Sequence, residues 1–347
     1  MGKVIRADIY DVTSDRNIPW DDLRDSAVFV TGATGLVGSA LCRSIAAANT
    51  KLDLGIRLIG HGTNRSKGDS LAEETGMEFI RGDIRELPLI DDASCAADYI
   101  VHCASITKSA EMAAKPADVA ITMADGTRNV LELARVKCSK SILFVSSMEV
   151  YGQTGELEIK EDDLGYLSLS DPRSSYPESK RYCEMLCNAY AAQYGINVKT
   201  ARLAQTFGAG TSRSDTRVFA QFAKSALAYE DIELHTEGRS QGNYCYISDT
   251  VRALLTILLK GERSEAYNVA NPAARATIRE MAEMVAGELC SGRISVRVSV
   301  PNDISKRGYA PSAAYALNAD KLAALGWSPK YGLDEMYRRM LADWRGV

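Results

Sequence analysis

The chain has 347 residues, 46% of them hydrophobic, enough to bury a large core as one large domain with a smaller appendage or as two domains. A formal net charge of -4 and the absence of any lysine- or arginine-rich run give no basic field for nucleic acid. No apolar run reaches the length of a bilayer span and the polar residues 1–26 carry no secretion signal, so the expected setting is the cytoplasm, with no membrane partner.

Ile18-Pro19-Trp20-Asp21-Asp22-Leu23 reads as a short helical turn entered through a proline and packed on a domain edge. A buried strand follows at Val28-Phe29-Val30-Thr31, then a turn carrying Gly32, Gly35 and Gly38, then an alanine- and leucine-rich helix from about Gly38 to Ala48. The first glycine permits a tight turn, the second lets backbone N–H groups close on a pyrophosphate, and the third lets helix and strand pack closely. An anion held there meets the unpaired donors and the positive dipole end of the helix. Strand, glycine turn and helix in that order are the context a dinucleotide fingerprint requires. Gly32, Thr34, Gly35, Leu36, Val37 and Gly38 are therefore candidate cofactor contacts; a glycine-rich turn of another α/β protein is the plainer alternative.

A second strand near Ile56-Arg57-Leu58-Ile59 should end in an acid if it holds the ribose 2′-hydroxyl of NAD. The chain instead reads Gly60-His61-Gly62-Thr63-Asn64-Arg65-Ser66-Lys67. His61, Asn64 and Arg65 are cofactor candidates at this point. Arg65 and Lys67 could meet a 2′-phosphate, which favours NADP, or be solvated loop cations, and both readings stay open. The strand Glu78-Phe79-Ile80-Arg81 ends in Gly82-Asp83-Ile84, and Tyr99-Ile100-Val101-His102 ends in Cys103-Ala104-Ser105. Parallel sheets bind ligands at such carboxyl ends, so Asp83, Ile84, Cys103, Ala104 and Ser105 join the cofactor candidates and Lys108 is a candidate for the substrate.

A helix around Asp125 to Val136 precedes the strand Ser141 to Val145, which runs into Ser146-Ser147-Met148-Glu149-Val150-Tyr151-Gly152. After a loop, Ser174-Ser175-Tyr176-Pro177-Glu178-Ser179-Lys180 opens a long helix to about Tyr194, with Pro177 suited to the first helical position. Tyr176 and Lys180 share one face of it. The alternation of strand and helix predicts a doubly wound parallel sheet. Further on come a strand at Val198 to Leu203, an amphipathic helix within Arg213 to Tyr229, a helix from Asp249 to about Lys260, a strand at Ala266 to Ala270, a helix opened by Thr277 and a final helix. The eight cysteines form no Cys-x-x-Cys pair and only three histidines are present, so no metal is expected and the thiols read as small buried residues of a reducing compartment.

A tyrosine and a lysine four apart, one loop after a strand ending in Ser146-Ser147 and downstream of a glycine turn, resemble the extended short-chain dehydrogenase/reductase family in its nucleotide-sugar epimerase/dehydratase branch. The resemblance runs from Val28 to Trp327. It implies an α/β fold, a Rossmann-type doubly wound parallel sheet with a smaller, partly interleaved C-terminal substrate-binding domain. Residues 1–203 with 238–260 would form the NAD(P)-binding part, and 204–237 with 261–347 the substrate part, the two sharing a cleft. It further implies transient C4 oxidation of a nucleoside-diphosphate sugar with NAD, or NADP, recycled without net consumption. Surface polysaccharide or glycoconjugate synthesis is the implied setting, and a homodimer joined through the helices near Asp125 and Lys180 the implied assembly.

A free tyrosine titrates near pH 10. Lys180, also a cofactor candidate, and the positive nicotinamide would favour the phenolate, so Tyr176 could take a proton from a sugar hydroxyl as hydride leaves the same carbon. The family pattern sets the catalytic serine four residues before the tyrosine of Val150-Tyr151-Gly152, which selects Ser147 to hold that hydroxyl. Glu149 resembles the carboxylate that works on a 4-keto intermediate in dehydratases and decarboxylases, or is a polar residue satisfied at a strand end. Met148, a substrate candidate, cannot supply the acid that usually helps expel a 6-hydroxyl, which argues against a standard 4,6-dehydratase. Gln205 stands where the family usually has asparagine, and Gly242 where many relatives have a diphosphate-pairing arginine. Arg217 and Arg239 are candidates to replace that arginine, with Arg275 and Arg307 behind them. The rival readings are a decarboxylase of a uronic acid nucleotide, suggested by Glu149, an NADPH-consuming ketone reductase, suggested by Arg65 and Lys67, and a non-catalytic dinucleotide-binding scaffold.

Overall fold

The computed structural model describes residues 1–87, 96–107, 109–156, 158–300 and 315–347; Cys95, Lys108 and Arg307 lie outside this set. Helix α1 (Lys3–Thr13) opens the chain, ahead of the short turn Trp20–Leu23. Strand β1 (Ala27–Thr31) is buried at every position, as a parallel strand covered on both faces must be. Helix α2 (Leu36–Leu52) begins at Leu36, so Gly38 lies inside its first turn. Next come β2 (Arg57–Gly62), α3 (Arg65–Thr75) and β3 (Glu78–Arg81). The Asn64 side chain caps α3, accepting from the Lys67 N–H at 3.0 Å. After β4 (Tyr99–His102) and α4 (Ser109–Ala114), α5 (Pro116–Val136) starts at Pro116 and not near Asp125, because proline is preset for a first helical turn. Strand β5 (Ser141–Ser147) leads to α6 (Ser175–Tyr194) and β6 (Val198–Leu203). Pro177 falls in the first turn of α6 but not at its first position. The N–H groups of that turn have no intrahelical acceptor, so the missing donor is tolerated.

The second half supplies β7 (Gln205–Phe207), α7 (Val218–Ala228), β8 (Ile232–Leu234), β9 (Gln241–Tyr246), α8 (Ile247–Lys260) and β10 (Ala266–Val269). It continues with β11 (Asn271–Thr277), α9 (Ile278–Met284), β12 (Val296–Val298), α10 (Asp320–Ala323) and α11 (Leu333–Arg345). The large sheet runs β10-β6-β5-β4-β1-β2-β3 with every neighbour parallel. A cap holds a three-stranded sheet, β11-β9-β7, and the pair β12-β8. Two strands therefore cross the partition expected from sequence. β10 belongs to the large sheet, where Tyr267 and Val269 are buried alongside β6, and β9 belongs to the cap, where Tyr244 and Tyr246 join its core. Among the described residues no helix is long and apolar enough to cross a membrane.

Residues 1–26 do more than edge packing. Helix α1 docks on α2, α8 and α11, and Asp8 meets Arg339 at 2.6 Å and accepts from the Tyr246 hydroxyl at 2.8 Å. Arg252 of α8 pairs with Asp15 at 2.5 Å and with the fully buried Asp249 at 2.8 Å. Asp249 also accepts from the backbone N–H groups of Lys330 and Tyr331, tying the tail to the large sheet's layer.

A second buried cluster fixes α6 against the sheet. The Glu184 carboxylate accepts from Ser146 Oγ at 2.5 Å and from Arg202 Nη2 at 2.7 Å. Arg202 also donates to Tyr151 Oη at 3.1 Å, and Tyr151 Oη donates to Asn268 Oδ1 at 2.6 Å. One chain of polar contacts thus joins α6, β5, β6, β10 and the turn after β5. Removing one member of a buried ion pair leaves the other charge uncompensated, at about 3–5 kcal/mol. Glu184→Gln is expected to lower unfolding free energy by about that amount, read from urea denaturation at unchanged m-value.

Candidate active site

The carboxyl ends of the large sheet's strands and the inner face of the cap enclose a cleft of about 1270 Å³. That is more than one small ligand fills, since ordinary ligand pockets hold roughly 300–1,000 Å³. At one end lies the glycine turn. Gly32 has φ +65°, and a Cβ there would stand 2.8 Å from the Ala104 nitrogen; at Gly38 it would stand 2.3 Å from the Gly32 carbonyl oxygen. The turn is therefore a cradle of bare backbone at the start of α2, where free N–H groups face the cleft. Thr31 Oγ1 lies 2.7 Å from His102 Nδ1 and accepts from the Ala104 N–H at 3.1 Å, which fixes the ends of β1 and β4 side by side.

The neighbouring wall is formed by the ends of β2 and β3. No carboxylate ends β2; the residue on the wall is His61, buried, with neither ring nitrogen hydrogen-bonded among the described residues. Burial pushes its pKa down to about 4, so the ring is neutral. Asn64 and Lys67 line the wall with it. Arg65 does not; it is exposed and lies 3.4 Å from Asp69, as a solvated cation at a helix start would. Asp83 lines the cleft but is closed on Arg85, from Nε at 3.0 Å and Nη2 at 2.6 Å.

At the centre stand the residues of β5, the turn after it and α6. Tyr176 is 6% exposed. Burial and the Glu149 charge push its phenol up to about 12, against hydrogen bonds with Ser147 and Ser105 and the Arg173 charge, which pull down. Lys180 sits 6.0 Å from the Tyr176 ring centroid and donates to the Val145 carbonyl at 2.7 Å. The expected lowering of the phenol by Lys180 is thus not what this geometry gives. The ammonium is itself buried, which lowers its own pKa, and faces a carbonyl and the Phe144 ring. Ser147 Oγ ends β5 and accepts from the Glu149 N–H at 3.2 Å. Glu149 Oε2 accepts from Arg173 Nη2 at 3.0 Å, so its carboxylate is paired on the cleft wall.

The cap side carries Gln205, Arg217, Gln241 and Gly242. Arg217 lines the cleft with its guanidinium closed on Asp215, Nη2 to Oδ2 at 2.6 Å. Arg239 is exposed and off the cleft wall, and so is Arg275 on β11. A Cβ at Gly242 would meet only the Tyr244 ring, at 3.6 Å or beyond, so steric need does not explain this glycine. Met148, Leu36, Val37, Ile84, Cys103 and Ser105 line the cleft as expected, while Lys108 lies outside the described residues. Arg173 and Tyr315 are among the lining residues that escaped the sequence reading. Arg173 precedes Tyr176 without any motif of its own, and Tyr315 reaches the cleft because its N–H donates to the Gln241 carbonyl at 3.1 Å. Among the described residues no group of His, Cys, Asp and Glu could hold a metal ion.

The sequence model of the NAD dependent epimerase/dehydratase family matches residues 28–270. The chain is 30% identical over 323 residues to UDP-glucuronic acid decarboxylase 6 of Arabidopsis thaliana, covering 92% of this chain and 88% of that protein. Its fold is similar to UDP-glucose 4-epimerase of Thermotoga maritima, with a TM-score of 0.78 at 22% identity over 92% of this chain and 98% of that one. It is similar also to DesIV, a dTDP-glucose 4,6-dehydratase of Streptomyces venezuelae solved with NAD and TYD, with a TM-score of 0.77 at 22% identity over 92% and 97%.

The cleft's buried imidazoles predict an acid limit. His61 and His102 are held down to about 4 and about 3 by burial, against roughly 6.5 in the unfolded chain. Below that value the unfolded chain takes up protons that the folded chain refuses, so stability falls as pH drops through the window. For His61 the loss between pH 7 and pH 5 is on the order of 2 kcal/mol. Denaturation midpoints at the two pH values should show His61→Asn losing that much less than the parent.

Proposed function

The chain belongs to the NAD dependent epimerase/dehydratase family, and from that premise we propose that it oxidises a nucleoside-diphosphate sugar at C4 and later returns the hydride to the altered sugar. The observation that carries this reading is the seating of Tyr176, a buried phenol beside Lys180 in the cleft that Ser147 and the glycine cradle also line. Bound NAD supplies the hydride acceptor and donor. The bare backbone from Gly32 to Gly38 holds its pyrophosphate, and the neutral His61 offers one donor and one acceptor to the ribose in place of a carboxylate. Ser147 orients the sugar hydroxyl, and Tyr176 takes its proton as the C–H bond breaks. Because the phenol is held near 12 by burial, a positive charge arriving in the cleft is what brings it toward the working range. Lys180, 6.0 Å from the phenol ring and tied to the Val145 carbonyl, sets the floor of the site beside Tyr176. Gln205 and Arg217 face the nucleotide from the cap.

A second reading, decarboxylation of a uronate, is favoured by the Glu149 carboxylate on the wall beside Tyr176 and by the decarboxylase relatives. Once C4 is a ketone, the C5–carboxylate bond can break, carbon dioxide leaves, the electron pair passes into the enolate, a proton returns to C5, and hydride returns to C4. Met148 offers no acid for expelling a 6-hydroxyl, which sets dehydration behind the other two outcomes. We place the cycle in the cytoplasm, whose reducing conditions suit the free thiols of Cys42, Cys183, Cys187, Cys245 and Cys290. We further propose a homodimer through α5 and α6, whose outer faces leave Ile121 50%, Tyr182 47% and Met185 53% exposed.

Incubation with a panel of nucleotide sugars followed by mass spectrometry tests the chemistry: unchanged mass marks epimerisation, loss of carbon dioxide decarboxylation, loss of water dehydration. Tyr176→Phe should lower turnover roughly 10³-fold while NAD stays bound; unchanged turnover would exclude Tyr176 as the base. Sedimentation should give a dimer for the parent and a monomer for Met185→Glu.

A further inference from the structure

Arg173 lies in the 3-10 turn Pro172–Ser174 just ahead of Tyr176, and no step above uses it. Its position is fixed from both ends. The Asp171 carboxylate accepts from its backbone N–H at 2.9 Å, and its Nη2 donates to Glu149 Oε2 at 3.0 Å. Its Nη1 is buried and has no hydrogen-bond partner among the described residues. The side chain as a whole is 37% exposed, and it is this one inward donor that is desolvated; a buried donor without an acceptor is expensive, and an acceptor carried by a ligand in the cleft would satisfy it.

The cations around the cleft's centre narrow the choice. Lys180 donates to the Val145 carbonyl, and Arg217 is closed on Asp215. In this group it is Arg173 whose terminal nitrogen Nη1 is buried without a hydrogen-bond partner among the described residues. A planar guanidinium matches a carboxylate better than a lone hydroxyl, which satisfies one donor and brings no charge. Glu149 adds a second argument. It places a negative charge on the wall beside Tyr176, and that wall would repel an anionic sugar unless the guanidinium stood between the two. We infer that Arg173 receives the carboxylate of a nucleoside-diphosphate uronate, carried on the carbon next to the one at Tyr176, and so selects an acidic over a neutral sugar. This rests on the C4-oxidation reading. One guanidinium then bridges Glu149 and the substrate, holding two anions apart on the same side of the sugar.

The test is calorimetric titration of the NAD-loaded full chain in the Tyr176→Phe background, which keeps the ligand unreacted, with UDP-glucuronate and UDP-glucose as probes. The background protein is expected to favour the uronate. Adding Arg173→Gln should weaken UDP-glucuronate about 30-fold or more and UDP-glucose less than about 3-fold, with Arg173→Lys between. Glu149→Gln removes the competing anion and should tighten the uronate. Equal losses for both sugars, no loss, or no uronate preference before Arg173 is changed would each overturn the inference. The C4-oxidation reading is judged separately, by turnover of any nucleotide sugar in the wild-type protein. It survives a neutral-sugar preference and falls only if no sugar in the panel is altered.

Discussion

No side chain fits between Gly38 and the carbonyl of Gly32, and the shape of the cleft follows from that exclusion. With a Cβ the separation would be 2.3 Å, so α2 can lie this close to the end of β1 only as bare backbone. The close approach aims the free N–H groups of α2 along the rim of the sheet. Parallel pairing then brings the ends of β2, β3, β4, β5 and β6 to the same rim. Residues as far apart in sequence as His61, Ser147 and Gln205 line one cleft for that reason.

Ion pairing in the interior does the remaining positioning. Glu184 and Arg202 hold α6 to β5 and β6, and α6 is the element that carries both Tyr176 and Lys180. Lys180 adds its own tie to Val145. The phenol and the ammonium are thus set by contacts that lie behind them, on the protein side, and the face toward the sugar is left for ligand. The cost is a phenol whose burial works against ionisation.

Much of the architecture was legible because local chemistry and tertiary role agree there. The apolar run before Gly32, the glycine spacing and the Tyr176–Lys180 pair are each dictated by the same backbone or helix geometry that the fold uses. The boundaries of α2 and α5 and the place of Pro177 were less legible, since a helix's first turn tolerates glycine and proline alike. Helix α1 was invisible for another reason: Asp8 within it pairs with Arg339 of α11, and Asp15 just beyond it with Arg252 of α8, polar residues that read as solvated until their partners are known. The same holds at the site. Arg65 could be read as a cofactor cation or a solvated one and stands exposed at the start of α3, whereas Arg173 and Tyr315 carried no pattern and reach the cleft only through tertiary contacts with Glu149 and Gln241.

The return of the chain from the cap to supply β10 has a consequence for synthesis. Until Ala266–Val269 leave the ribosome, β6 is an open sheet edge with its backbone groups unpaired, and such edges recruit other strands. The cap strands β7 and β9 are made in that interval, yet β9 also needs β11, which follows β10. The large sheet has all its strands once β10 is made, and β9 gains β11 immediately afterwards, so the two sheets are completed late and almost together. A cut between β6 and β7 would leave the amino-terminal piece with β6 as an open edge, since the strand that covers it is made on the far side of the cap.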